Sequence, residues 1–294
     1  MSVAVHAFAG DLGPAAQLAA ALAAPCREVA LHIFPDGETL PMVATGDRTV
    51  IAYVRLDHPN PRLMPLLQAC DAWRRGGAQR LVLVAPYMPY LRQDAVFAPG
   101  QALSRDVFAP LIGAAFDQIV TVEPHLHRTP DLTPVFGRPV TVLTAEDVLA
   151  EALAPVGPNT LVIGPDAESQ AWTDRLAGRL GAEGCAFQKI RRGDRAVSLS
   201  PPAGLELVGR EVVLVDDIAS SGETLIAGVA LVKQLGAARV RVAVVHALIA
   251  EEAVARLREA GCDDILSCDS CAHPTNRISL AGLIAGALTR ETAP

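Results

Sequence analysis

Short β-branched runs alternate with amphipathic segments along almost the whole chain, and that alternation leaves few folds open. Ser2–Phe8, Thr49–Val54, Arg80–Ala85, Gln118–Val122, Thr160–Ile163, Glu211–Val215 and Arg239–Ala247 read as buried strands. Between them, Pro14–Ala24, Pro61–Arg75, Ser104–Ala115, Glu168–Leu180, Glu223–Leu235 and Glu251–Ala260 read as helices. Several of these stop at glycine, at Gly76, Gly181, Gly236 and Gly261, as helix C-termini often do. The expectation is an α/β fold of mainly parallel sheets flanked by helices, because each parallel crossover lays a helix on a sheet face. The rhythm runs twice. Residues 1–142 and 143–294 are therefore expected as two domains of similar build, with a final helix at 280–290 packing on the N-terminal one.

Composition narrows the function. Apolar residues make up 51% of the 294, enough for two cores. Basic residues number 25 against 32 acidic ones, and the net charge of −7 argues against nucleic-acid and anionic-membrane partners. No apolar run nears the ~18–20 residues that span a bilayer. The N-terminus shows no basic-then-apolar leader. Six scattered cysteines do not form a disulfide framework, so a cytoplasmic protein is expected. Cys268-x-x-Cys271, with Cys262 and His273 nearby, is the one metal-like cluster. Structural zinc usually brings two such pairs, and small buried thiols are the expectation here.

The chemistry concentrates in Val212–Thr224, V-V-L-V-D-D-I-A-S-S-G-E-T. Four apolar residues make a buried strand, and Asp216 and Asp217 stand at its C-terminal edge, where open α/β sheets bind ligands. Ala219, Ser220, Ser221 and Gly222 are small enough for backbone to close around an anion, and Glu223 and Thr224 open a helix whose N-terminal N–H groups face it. Two acids beside a phosphate cradle suit a sugar phosphate: the loop takes the phosphate and the carboxylates accept from vicinal hydroxyls.

That string resembles the phosphoribosyl-pyrophosphate loop shared by phosphoribosyltransferases and ribose-phosphate pyrophosphokinases (PRPP synthetases). Other segments resemble the second family in order: Phe34-Pro35-Asp36-Gly37-Glu38, Pro86–Asp94 (P-Y-M-P-Y-L-R-Q-D), Val122-Glu123-Pro124-His125, Gly164-Pro165-Asp166-Ala167, Lys189-Ile190-Arg191-Arg192 and His273–Arg277. The resemblance implies two phosphoribosyltransferase-like domains and transfer of the diphosphoryl group of MgATP to O1 of ribose 5-phosphate, giving PRPP and AMP. It further implies that Phe34, Asp36, Glu38, Arg92, Gln93 and Asp94 bind ATP and that His125 and Asp166 serve Mg²⁺. Lys189 and Arg191 are implied as catalytic residues on a mobile flap. Asp216, Asp217, Ala219, Ser220, Ser221, Gly222, Glu223 and Thr224 are implied as the ribose 5-phosphate site. The Phe34–Glu38 loop is implied to reach ATP in a neighbouring subunit, hence a homo-oligomer of at least a dimer.

Lys189 is one of only two lysines in the chain, which agrees with a role there. Two alternatives stay open: a PRPP-consuming phosphoribosyltransferase, and a non-catalytic regulator of the synthetases. The chain also departs from the family pattern. Glu123 stands where many members have Asp, Glu168-Ser169 where they have glycines, and residues 95–103 hold no Lys or Arg where phosphate-regulated members are basic.

Overall fold

The computed structural model describes residues 2–292 apart from residues 97, 127, 128, 130, 193–195 and 203, with backbone alone at 189–198 and 291–292. In chain order the elements are β1 (Val3–Phe8), α1 (Leu12–Ala21), β2 (Cys26–Ile33), β3 (Thr39–Met42), β4 (Thr49–Tyr53), α2 (Pro59–Arg75), β5 (Arg80–Val84), α3 (Ser104–Ala115), β6 (Gln118–Val122), α4 (Thr133–Phe136) and β7 (Val140–Leu143). There follow α5 (Glu146–Leu153), β8 (Thr160–Gly164), α6 (Gln170–Leu180), β9 (Glu183–Ala186), β10 (Gln188–Arg192), β11 (Ala196–Ser200), β12 (Glu211–Ala219), α7 (Glu223–Gln234), β13 (Arg239–Ala247), α8 (Glu251–Glu259), β14 (Asp264–Cys268), β15 (Asn276–Ile278) and α9 (Ala281–Thr292).

Two compact units result. Unit 1 comprises Met1–Leu143 with Leu280–Pro294, and unit 2 comprises Thr144–Ser279. The last helix, α9, thus belongs to the first unit, where it packs on α1 and β7.

Unit 1 carries a seven-stranded sheet in the order β3-β2-β1-β4-β5-β6-β7, parallel throughout except where β3 pairs antiparallel with β2. The parallel strands are apolar runs, as sheets covered on both faces require. Leu81 and Leu83 of β5 and Ile119 of β6 share a core with Trp73, Phe108 and Ile112 from the covering helices and with Phe116 just after α3. Unit 2 carries a six-stranded parallel sheet, β15-β14-β13-β12-β8-β9, and β10 and β11 form a separate antiparallel pair. Its core joins Val212 and Leu214 of β12 to Val229 and Val232 of α7.

Each sheet has one place where the strand order reverses: between β1 and β4 in unit 1, and between β8 and β12 in unit 2. Ligands of open α/β sheets bind beyond the carboxyl ends of strands at such points. In unit 1 the point is closed by ion pairs. The fully buried Asp11 accepts from Arg55 Nε at 2.7 Å and from Arg62 Nη1 at 2.6 Å. In unit 2 it carries acids.

Candidate active site

The acids sit where they do because β12 outruns one neighbour. It pairs with β8 only from Glu211 to Leu214, yet stays alongside β13 as far as Ala219, opposite Ala247. The strand read from sequence ends at Val215. In the structure Asp216 and Asp217 lie within β12, because the ladder to β13 continues past the apolar run. On the β8 side these residues overlook a gap.

Across that gap stands Asp166, just beyond β8. Its Oδ1 accepts the backbone N–H groups of Glu168 at 3.1 Å and Ser169 at 3.3 Å, and Ser169 Oγ donates back to the Asp166 carbonyl at 2.6 Å. The turn needs Gly164: a Cβ there would lie 2.3 Å from Ser169 Oγ. Asp166 and Asp217 both act on Asp216. Burial, then the charge of Asp217, then that of Asp166 push the Asp216 carboxyl well above the usual carboxylate range. Three carboxylates therefore crowd the strand ends of unit 2.

After Ala219 the chain turns into α7 through Ser220, Ser221 and Gly222. Gly222 is buried in the left-handed region at φ +77°, and the first helical bond runs from Ile226 N–H to its carbonyl. The N–H groups ahead of that bond and the exposed Ser220 and Ser221 hydroxyls make a helix end of the kind that can take an anion. Glu223 is turned elsewhere. Its carboxylate takes both Arg256 Nη1 at 2.5 Å and Nη2 at 3.0 Å, and that guanidinium holds it below the usual range. Arg256 carried no local signal, since it lies 33 residues away in α8.

Unit 1 presents the other motifs on the carboxyl edge of its sheet. The Pro86–Asp94 segment leaves β5 and is pinned by buried Tyr87, Met88 and Leu91. Tyr90, at φ +64°, packs its ring 5.3 Å from that of Phe108, so it serves the core. Arg92 and Gln93 are exposed and Asp94 is half-buried. The neighbouring strand end is tied on by Val122 N–H, which donates to the Pro86 carbonyl at 3.1 Å. Glu123 follows at φ +37°, a strained value for a residue with a side chain, and leads to the half-buried His125 just beyond β6.

Phe34–Glu38 forms the tip of the β2–β3 hairpin. Phe34 N–H donates to the Glu38 carbonyl at 2.8 Å, and Asp36 Oδ1 accepts from Glu38 N–H at 3.1 Å. Strands β1 and β4 separate β2 from β5, which is about 14 Å at the usual ~4.8 Å spacing. Within one chain the starts of the two motifs are thus separated by two strands. Lys189 and Arg191 lie on β10, paired with Leu199 and Val197 of β11, and their side chains fall outside the described residues. The flap stretch read from sequence is in this structure a strand pair up to Arg192. None of the six cysteines, all of them among the described residues, is in a disulfide, and Cys268 and Cys271 are fully buried.

Comparison with known proteins adds independent information. A family model described as the phosphoribosyl transferase domain matches residues 146–276, and one described as the N-terminal domain of ribose phosphate pyrophosphokinase matches residues 9–115. The chain is 32% identical to the ribose-phosphate pyrophosphokinase of Methanopyrus kandleri over 276 residues, covering 92% of this chain and 94% of the relative. It is 33% identical to that of Halobacterium salinarum over 281 residues, covering 93% and 96%. In fold it resembles the solved phosphoribosylpyrophosphate synthetase of Mycobacterium smegmatis, with a TM-score of 0.83, 24% identity and 99% of each chain covered.

Proposed function

Since the chain belongs to the ribose-phosphate pyrophosphokinase family, we propose that it moves the diphosphoryl group of ATP onto O1 of ribose 5-phosphate through the residues described above. The observation that carries this reading is the acid pair and phosphate loop at the strand-order reversal of unit 2. Ser220, Ser221, Gly222, Thr224 and the first turn of α7 hold the 5-phosphate by N–H and hydroxyl donors. Asp216 and Asp217 accept from the ribose hydroxyls. Glu223 contributes by its position at the helix start, its carboxylate being engaged by Arg256. Arg92 makes no ion pair among the described residues, and its planar fork suits bidentate contact with the ATP phosphates, alongside Gln93 and Asp94. Lys189 and Arg191 clamp the migrating group, where positioning and positive charge dominate catalysis.

The acids fit a hard cation such as Mg²⁺. Asp166, Asp216 and Asp217 are oxygen donors whose mutual repulsion a divalent ion relieves. Among the described residues no three His, Cys, Asp or Glu side chains form a ready cage, and Mg²⁺, which keeps its waters and binds through one or two carboxylates and substrate phosphates, needs none. When bound it neutralises charge on the transferring phosphoryl oxygens. His125, a nitrogen donor, suits contact with phosphate or with a water of the ion.

The separation of Phe34, Asp36 and Glu38 from Arg92 supports a second copy of the chain as the source of the hairpin that reaches ATP. The same hairpin exposes Ile33, Leu40 and Met42, apolar surface that a partner copy would cover. No helix among the described residues is long and apolar enough to cross a membrane, and thiols outside any disulfide agree with the proposed cytoplasmic location.

The test is formation of AMP from ATP and ribose 5-phosphate with no nucleobase present. Lys189→Ala is expected to lower kcat by several orders of magnitude with little change in ribose 5-phosphate affinity. Asp217→Ala is expected to weaken ribose 5-phosphate binding ten- to a hundred-fold, the value of about 1.5–3 kcal/mol for a charged hydrogen bond. No AMP from the wild type, or unaltered binding by the Asp217 variant, sinks the reading. A base-dependent reaction that consumes PRPP would favour the transferase alternative.

A further inference from the structure

The amino edge of the unit 1 sheet, opposite the edge that carries the ATP motifs, holds a cleft of about 630 Å³. Strands β1, β4, β5 and β6 all begin there, and the end of α1 and the last turns of α9 complete the walls. Such a volume lies within the range of small-molecule sites. Val3, Ile51, Val82 and Leu288 make most of the lining apolar. The polar groups gather at one place. Arg80 Nη2 donates to Gln118 Oε1 at 2.5 Å, and the buried Gln118 in turn reaches Thr141 Oγ1 through Nε2 at 3.5 Å.

Arg80 makes no ion pair among the described residues. Most arginines of this chain do: Arg27, Arg55, Arg74, Arg175, Arg241 and Arg256 each face a carboxylate. The acid next to Gln118, Asp117, is taken by Arg74 at 2.7 Å and by the Leu81 N–H at 2.7 Å. A half-buried guanidinium, oriented by a neutral amide and set against apolar walls, offers its remaining N–H donors to an anion.

We propose that this cleft binds a small amphipathic anion, with its carboxylate on Arg80 and its apolar body along Val3, Ile51, Val82 and Leu288. The site is separate from the residues assigned to the reaction and does not depend on that assignment. Because α9 supplies one wall, occupancy ties the last helix to the sheet and raises the unfolding midpoint.

Octanoate is the probe, titrated into the full chain by calorimetry, with octanol as the uncharged control. Saturable binding of one octanoate per chain is expected, at least tenfold tighter than octanol. Arg80→Met keeps the apolar stem and removes the charge, and is expected to weaken octanoate at least tenfold while leaving octanol unchanged. Ala24→Met narrows the cleft with Arg80 intact and is expected to weaken both, so the outcome does not hang on one variant's folding. No saturable binding, equal affinity for octanoate and octanol, or octanoate binding indifferent to both substitutions overturns the proposal.

Discussion

At the scale of single residues, Gly222 shows how tightly the turn into α7 is specified. Its φ of +77° disfavours any L side chain, and a Cβ there would lie 3.3 Å from Ala253 Cβ and 3.4 Å from Ile249 Cγ2. Gly222→Ala is expected to cost about 1–2 kcal/mol in loop conformation and to weaken ribose 5-phosphate roughly tenfold, read by calorimetry. His6 makes a different prediction. It is fully buried; its Nδ1 accepts from Trp73 Nε1 at 3.1 Å, so its Nε2 carries the proton and donates to Asp47 Oδ2 at 3.2 Å. Burial holds the imidazole below its ordinary value against the pull of Asp47. The unfolded chain then binds the extra proton first, so this contribution is complete above about pH 6.5 and is lost as pH falls through the lower folded value. Unfolding midpoints across pH 5–8 are expected to fall more steeply below 6.5 for the wild type than for His6→Gln. Parallel curves count against the role. Neither the His6 network nor the Glu223–Arg256 pair is legible in sequence, because their partners are 33 to 67 residues apart and no local spacing joins them.

Elements show the same division. Gln118–Val122 and Arg239–Ala247 were legible to the residue, because both strands are buried runs with clean ends. Strand β2 was not: Cys26–Ile33 is largely exposed, interleaves Arg, Glu and His, and gives no apolar run to read. The thirteen-residue string reads as a candidate site because strand, acids, loop and helix are contiguous, whereas what braces it comes from afar. His273, between β14 and β15, donates from Nε2 to the Ile249 carbonyl at 3.1 Å, and its Nδ1 accepts from Thr275 Oγ1 at 2.6 Å. Ile249 in turn bears on Gly222. If this contact positions the loop, His273→Ala is expected to raise KM for ribose 5-phosphate several-fold with kcat within about twofold, and His273→Gln to recover part of the loss. Steady-state kinetics decide it, and a fall in kcat at unchanged KM argues against the brace.

For the whole molecule, the proposed reach of the β2–β3 tip into a partner copy's site would make activity a property of assembled copies. Glu38→Ala and Lys189→Ala chains, each inactive alone, are expected to regain part of the activity when mixed, in an AMP-formation assay with subunit exchange verified by mass. No recovery after verified exchange places the hairpin outside the partner's site. The path of the chain has a second consequence, for synthesis. Unit 1 is left at Leu143 and finished only by the helix that starts after Leu280, so the whole of unit 2 is translated in between. At 5–20 residues per second the ribosome needs roughly 7–28 s for those ~140 residues. Throughout that interval the face of α1 that α9 will cover stays open. The order of maturation on the ribosome is therefore inverted: the domain begun first is the one completed last.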